Sequence, residues 1–94
     1  MPYVKKHERK QFVKGLKEIR NTITDDEISP GQLNYLIYNL CLFYLEDKGL
    51  NNGATYTTLN DVIGVLENVK FEFQRRKLAP FEDKKIKDNG DVTL

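Results

Sequence analysis

The sequence has 94 residues, 39% hydrophobic and 31% charged, with a formal net charge of +1. That length and composition describe one small globular domain with a single core. The longest apolar run, around Leu40 to Leu45, is far short of the roughly 20 residues that cross a bilayer. The N-terminus, MPYVKKHERK, has no apolar signal-peptide stretch, so the expected location is cytoplasmic, with no membrane partner. The single Cys41 excludes an internal disulfide and a cysteine zinc cluster. Its apolar surroundings predict packing rather than reactivity.

The charge is unevenly placed. Residues 1 to 23 hold seven Lys or Arg against two Glu, a net +5. Residues 24 to 50 hold one Lys against five acids, a net −4. Opposite blocks of this kind suggest pairing, within the chain or between copies. They argue against a dedicated nucleic-acid binder, which is expected to be strongly basic.

In chain order, the first predicted helix runs from about Lys6 to Asn21. Phe12, Leu16, Ile19 and Ile23 make one stripe, widened by Val13. Lys10, Lys14, Lys17 and Arg20 take the remaining surface. The stretch TITDDEISPGQ reads as a linker. Ser29, with Pro30 after it and Gln32 three residues on, has the capping-box arrangement. The second helix follows to about Lys48, with Gly49 as the left-handed stop and Leu50 as its apolar contact.

This second helix is apolar on both sides. Leu33, Leu36, Ile37, Leu40, Phe43 and Tyr44 form one stripe, and Tyr35, Tyr38, Leu42 and Leu45 lie opposite. Both sides must be covered. Either helices one and three flank it, or another copy of the chain covers the second side. Two tyrosines there suit a partly wet interface, so a homo-oligomer is expected.

NNGATYT reads as a loop, and Thr58 as the cap of a third helix, with Asp61 three residues later. Leu59, Val62, Ile63, Leu66, Val69 and Phe73 form its core face. Arg75, Arg76 and Lys77 complement the negative end of the helix dipole. Pro80 is expected to stop the helix. The predicted fold is all-α: a short first helix and a long antiparallel pair over residues 1–80, then a polar C-terminal tail over 81–94. Asn89-Gly90 signals a turn, and Phe81 and Ile86 offer to tether the tail.

Little in the sequence supports catalysis. The one histidine, His7, lies in a charged terminal segment with no nucleophile beside it. GLNNGATYTTLND lacks the Gly-Lys-Ser/Thr of a phosphate loop, although the N-terminus of the third helix can hold an anion. The carboxylates do not converge on a metal from any one helix: Glu67 and Glu72 sit about 140° apart. No enzyme activity, metal or cofactor is expected.

Asn60, Gly64, Glu67, Asn68, Phe71 and Arg75 share the outer face of the third helix. Gly64 permits close approach, Phe71 offers a stacking surface and Arg75 a planar fork. The expectation is that Phe73 is core and Phe71 is not.

From Leu33 to Val92 the chain resembles a family of small uncharacterised proteins of phages and bacteria. The segments that carry the resemblance are LNYLIYNLCLFYL, KGLN, TLNDVIGVLENVKFEFQRR and APFEDKKIKDNGDV, with MPY at the start. The connection after KGLN is longer here than in that family. The helix layout also looks like phage anti-defence sponges, oligomers that hold cyclic-nucleotide signals between subunits. That likeness is architectural.

The resulting expectation is a non-enzymatic binding protein capturing a small anionic ligand such as a nucleotide immune signal. Arg75, Arg76 and Lys77 would supply charge, Phe71 or Tyr56 stacking, and Thr57 and Asn60 polar contacts. The expected subunit contacts are Tyr35, Tyr38, Leu42 and Leu45, with Gly64 and Phe71. The first alternative is a protein-binding factor that inhibits a host protein. The second is nucleic-acid binding through the basic first helix, which salt would weaken steeply.

Overall fold

A computed structural model describes residues 4–47 and 55–93. Every regular element in them is helical. A single 3-10 turn, Lys6–Glu8, leads into α1, Lys10–Asp25. Helix α2 spans Pro30–Asp47. Helix α3 spans Tyr56–Phe73, passes through a π-helical turn at Gln74–Leu78, and continues as α4, Ala79–Asn89. The chain divides into two units, Met1–Leu40 and Cys41–Leu94.

Helix α1 runs four residues beyond the predicted end, through TITD. Thr22 and Thr24 turn their hydroxyls back onto the carbonyls of Glu18 and Arg20, at 3.2 and 3.0 Å. Their side chains therefore satisfy helix carbonyls instead of opening a turn. The stop comes at Glu27, whose φ is +47°. The Ile28 N–H then reaches the Ile23 carbonyl at 3.5 Å, the six-to-one closure of a Schellman end. Glycine is the usual residue at such a position, because a side chain there is strained. Glu27→Gly is therefore expected to stabilise the end of α1 by about 1 kcal/mol. Thermal melting of the pair of proteins would check it, and a lower midpoint for the glycine variant would refute it.

The start of α2 follows its sequence signal. The Ser29 N–H donates to Gln32 Oε1 at 2.8 Å, and the Gln32 N–H donates to Ser29 Oγ at 3.2 Å. Two N–H groups that a helix start leaves orphaned are thus satisfied reciprocally. The predicted end, Gly49 with Leu50, lies outside the described residues.

Helix α3 starts earlier than predicted. Its cap is Thr55, whose Oγ1 accepts from the Thr58 N–H at 3.2 Å. Thr58 is inside the helix and returns its own hydroxyl to the Thr55 carbonyl at 3.0 Å. Tyr56 and Thr57 consequently occupy the first turn of a helix rather than a loop. Either threonine can cap; choosing Thr55 gains a second hydrogen bond from Thr58.

The largest departure is at the other end. Pro80 does not stop the helix, and the tail expected over 81–94 is helical as far as Asn89. Proline inside an α-helix removes one N–H and clashes with the carbonyl four residues back, here that of Arg76. The turn just before it widens to π geometry, and the Ala79 N–H bonds to the Gln74 carbonyl, five residues back. Pro80 then falls in the first turn of α4, where a missing N–H costs little. The run ends at Gly90, with φ +85° and its N–H on the Ile86 carbonyl at 2.8 Å.

No described side chain is buried. The apolar stripes are present, and the described side chains on them are exposed or half-buried. Phe73, expected in a core, is 65% exposed, more than Phe71 at 56%. A stripe becomes core only when another element lies on it, so within one chain the expected contrast between these phenylalanines does not arise. Both sides of α2 are open: Leu40 is 52% exposed on one and Tyr38 61% on the other. Cys41 lies between them, half-buried. Among the described residues, no helix is long and apolar enough to cross a membrane.

Candidate functional site

The candidate ligand residues fall into two clusters on one helical run. Tyr56, Thr57 and Asn60 occupy the first turns of α3, where the helix dipole is positive. Tyr56 projects into solvent, 81% exposed. Arg75, Arg76 and Lys77 stand in the π turn. At 1.5 Å per residue, Asn60 and Arg75 are roughly 22 Å apart along the axis. One ligand of nucleotide size cannot touch both clusters of the same chain. Sequence reasoning gathered them into one set without asking for that distance.

The basic cluster also holds an acid that sequence reasoning left out. Arg75 Nη2 donates to Glu72 Oε2 at 2.9 Å, and Arg76 Nε lies 2.8 Å from Glu72 Oε1. One carboxylate thus holds two guanidinium groups, from positions three and four residues ahead of it. That spacing was the signal available, because such pairs are neighbours on a helix. The hydrogen bond from Arg75 and the charges of Arg76 and Arg75 hold the Glu72 carboxyl below the usual glutamate range. It therefore stays ionised at neutral and mildly acidic pH. The cluster of Glu72, Arg75, Arg76 and Lys77 keeps a net +2. The two guanidinium groups are oriented but not used up, since each has five N–H donors.

Midway between the clusters lie Gly64 and Phe71. A Cβ placed on Gly64 would meet nothing within 4 Å. Phe71 stands in solvent with the Lys70 ammonium 5.8 Å from its ring centroid, and Lys70 also pairs with Glu67 at 3.4 Å. The expected contacts on α2, Tyr35, Tyr38 and Leu42, are exposed, and Leu45 is half-buried.

Shallow depressions lie elsewhere among the described residues. One of about 430 Å³ is lined by Glu82, Lys85, Ile86, Asn89, Gly90, Asp91 and Val92. Another, of about 210 Å³, lies along α1 at Val13, Leu16, Lys17 and Arg20. Among the described residues, no group of three or more His, Cys, Asp or Glu gathers as a metal site would require.

Compared with known proteins, residues 1–92 match a family described as a domain of unknown function. No curated protein matches the chain, and no solved structure does.

Proposed function

Because the chain belongs to the DUF6899 family, a domain of unknown function, its role has to be read from its own surface, and we propose a non-enzymatic binding protein that works as a homo-oligomer. The observation that carries this reading is α2. From Pro30 to Leu45 it has no charged residue, yet both its sides are exposed in the single chain. Exposed apolar patches of that extent mark interaction surfaces on a soluble protein. Most of a helix's stability in a protein comes from packing its apolar surface rather than from propensity, so α2 needs a cover in order to persist. A second copy brings the same apolar faces and the complementary blocks of charge.

The sharper form of the proposal is capture of a small anionic ligand of the nucleotide class between copies. Phage-type withholding of a nucleotide signal is the role this suits. Tyr56 and Phe71 offer aromatic faces, Thr57 and Asn60 polar groups, and Arg75, Arg76 and Lys77 the charge. Their separation along one chain supports placing the ligand between chains.

Thermal melting against a panel of nucleotides, with the matching nucleosides as controls, tests the ligand. At about 100 times its dissociation constant, a ligand stabilises the fold by roughly 2.7 kcal/mol, or about 10–20 °C for a domain of this size. A shift with nucleotides but not nucleosides is the expected result. No shift with any nucleotide would end the ligand reading. A protein partner is the second reading, favoured by one observation: Arg75 and Arg76 already have a carboxylate partner in Glu72.

A further inference from the structure

The outer face of α3 carries a symmetry of its own. Asn60 and Arg75, Gly64 and Phe71, Glu67 and Asn68 are three pairs with one common midpoint, between Glu67 and Asn68. All six fall within an arc of about 100° on the helix. Two copies of such a helix, laid antiparallel about a two-fold axis at that midpoint, present each residue to the other member of its pair. A large residue then stands opposite a missing side chain, twice. Phe71 of each copy meets Gly64 of the other, where space for it is open. Isologous contacts have this self-complementary form.

The same register acts on the two ligand clusters. Reflected through the midpoint, residues 56 to 60 fall opposite residues 75 to 79. The separation of roughly 22 Å between Asn60 and Arg75 within a chain becomes direct apposition between chains. The charges tolerate this arrangement. Glu67 comes near its own counterpart at the axis, but each already has Lys70 at 3.4 Å.

We propose that α3 pairs with α3 of a second copy in the antiparallel register that sets Phe71 against Gly64, so that Thr57 and Asn60 of one copy, with Tyr56 at the edge of the facing arc, and Arg75 of the other build two equivalent anion sites. This rests on the self-association proposed above and adds to it a register and a composite site. The face is too polar to hold an assembly alone. The apolar sides of α2 supply the adhesion, and α3 selects the orientation.

Disulfide trapping tests the register without knowledge of the ligand. On a Cys41→Ser background, Asn68→Cys places two thiols beside the axis. Helices packed 8–10 Å apart put the two Cβ atoms there roughly 4–6 Å from each other, within or near disulfide reach. Asn60→Cys places them roughly 22 Å apart. The expected result is a covalent dimer on mild oxidation for Asn68→Cys and none for Asn60→Cys. Gly64→Phe should weaken association at least tenfold, and Gly64→Phe with Phe71→Gly should recover most of the loss, because the swap restores one phenylalanine against one glycine. An oligomer by light scattering that traps at neither position, or only at Asn60→Cys, overturns the register and leaves self-association standing. A monomer at every concentration overturns both.

Discussion

Leu42→Asp is expected to disperse the assembly, weakening self-association more than a hundredfold. Leu42 lies with Tyr35, Tyr38 and Leu45, opposite the Leu33–Leu40 stripe. If both sides of α2 are covered in the working form, the new carboxylate enters an apolar contact with no partner. An unpaired charge in such a place costs several kcal/mol, and each 1.4 kcal/mol is a tenfold change in the association constant. Leu40→Asp, on the opposite side, should act equally. That equality is the diagnostic part, because a surface helix with one dry face would tolerate aspartate on the other. Analytical ultracentrifugation of the two variants decides it. Should Leu42→Asp keep the parent mass and melting point, the second side of α2 faces water in the working protein.

The second expected result is a melting point that depends on protein concentration. In the chain taken singly, backbone hydrogen bonds and caps hold the helices, with no buried side chain among the described residues. Capping contributes about 1 kcal/mol per helix end, too little to hold a helix of 16 to 18 residues against the cost of ordering it. Folding and association should therefore be one event. For a dimer, a tenfold rise in concentration adds about 1.4 kcal/mol, which corresponds to roughly 5–10 °C in a domain of this size. Far-UV circular dichroism across a dilution series measures it. Full helicity with an invariant melting point down to the lowest concentration would sink the coupling, and a monomer with its own core would replace it.

Local elements were legible in the sequence wherever a short-range rule decides them. The Ser29–Gln32 box is complete within four residues, and both of its hydrogen bonds form. Gly90 ends the last helix next to the turn signal that announced it. What misled was a rule read without its exceptions. Pro80 stops an ordinary α-helix, but a widened turn ahead of it removes the clash, and no residue in Gln74–Leu78 advertises that geometry. The threonines of TITD favour caps and turns in general, yet these bond back into the helix. Thr55 and Thr58 are chemically equivalent as caps, so only the extra hydrogen bond separates them. The candidate site was legible as a list of residue types and not as a place. Tyr56 and Lys77 suit one anion by chemistry, and the helix rise puts them at opposite ends of a rod. The Glu72 clamp is legible through the three-and-four spacing rule, since Arg75 and Arg76 follow Glu72 by three and four residues.

The π turn is equivalent to one residue inserted into an α-helix. Leu59, Leu66 and Phe73 repeat every seven residues, the interval at which a helix returns to almost the same side. Phe81 comes eight later, and in an unbroken helix it would swing about 80° away from Phe73. The inserted residue takes up that excess, so Phe81 returns to within about 20° of Phe73. The turn therefore works as a skip in the heptad count, letting one apolar seam run from α3 into α4 past a proline. Its length, more than its composition, is what matters: deleting one residue between Gln74 and Leu78 would put Phe81 seven residues after Phe73, so a plain α-helical turn would keep the seam in phase while the widening that admits Pro80 would be lost.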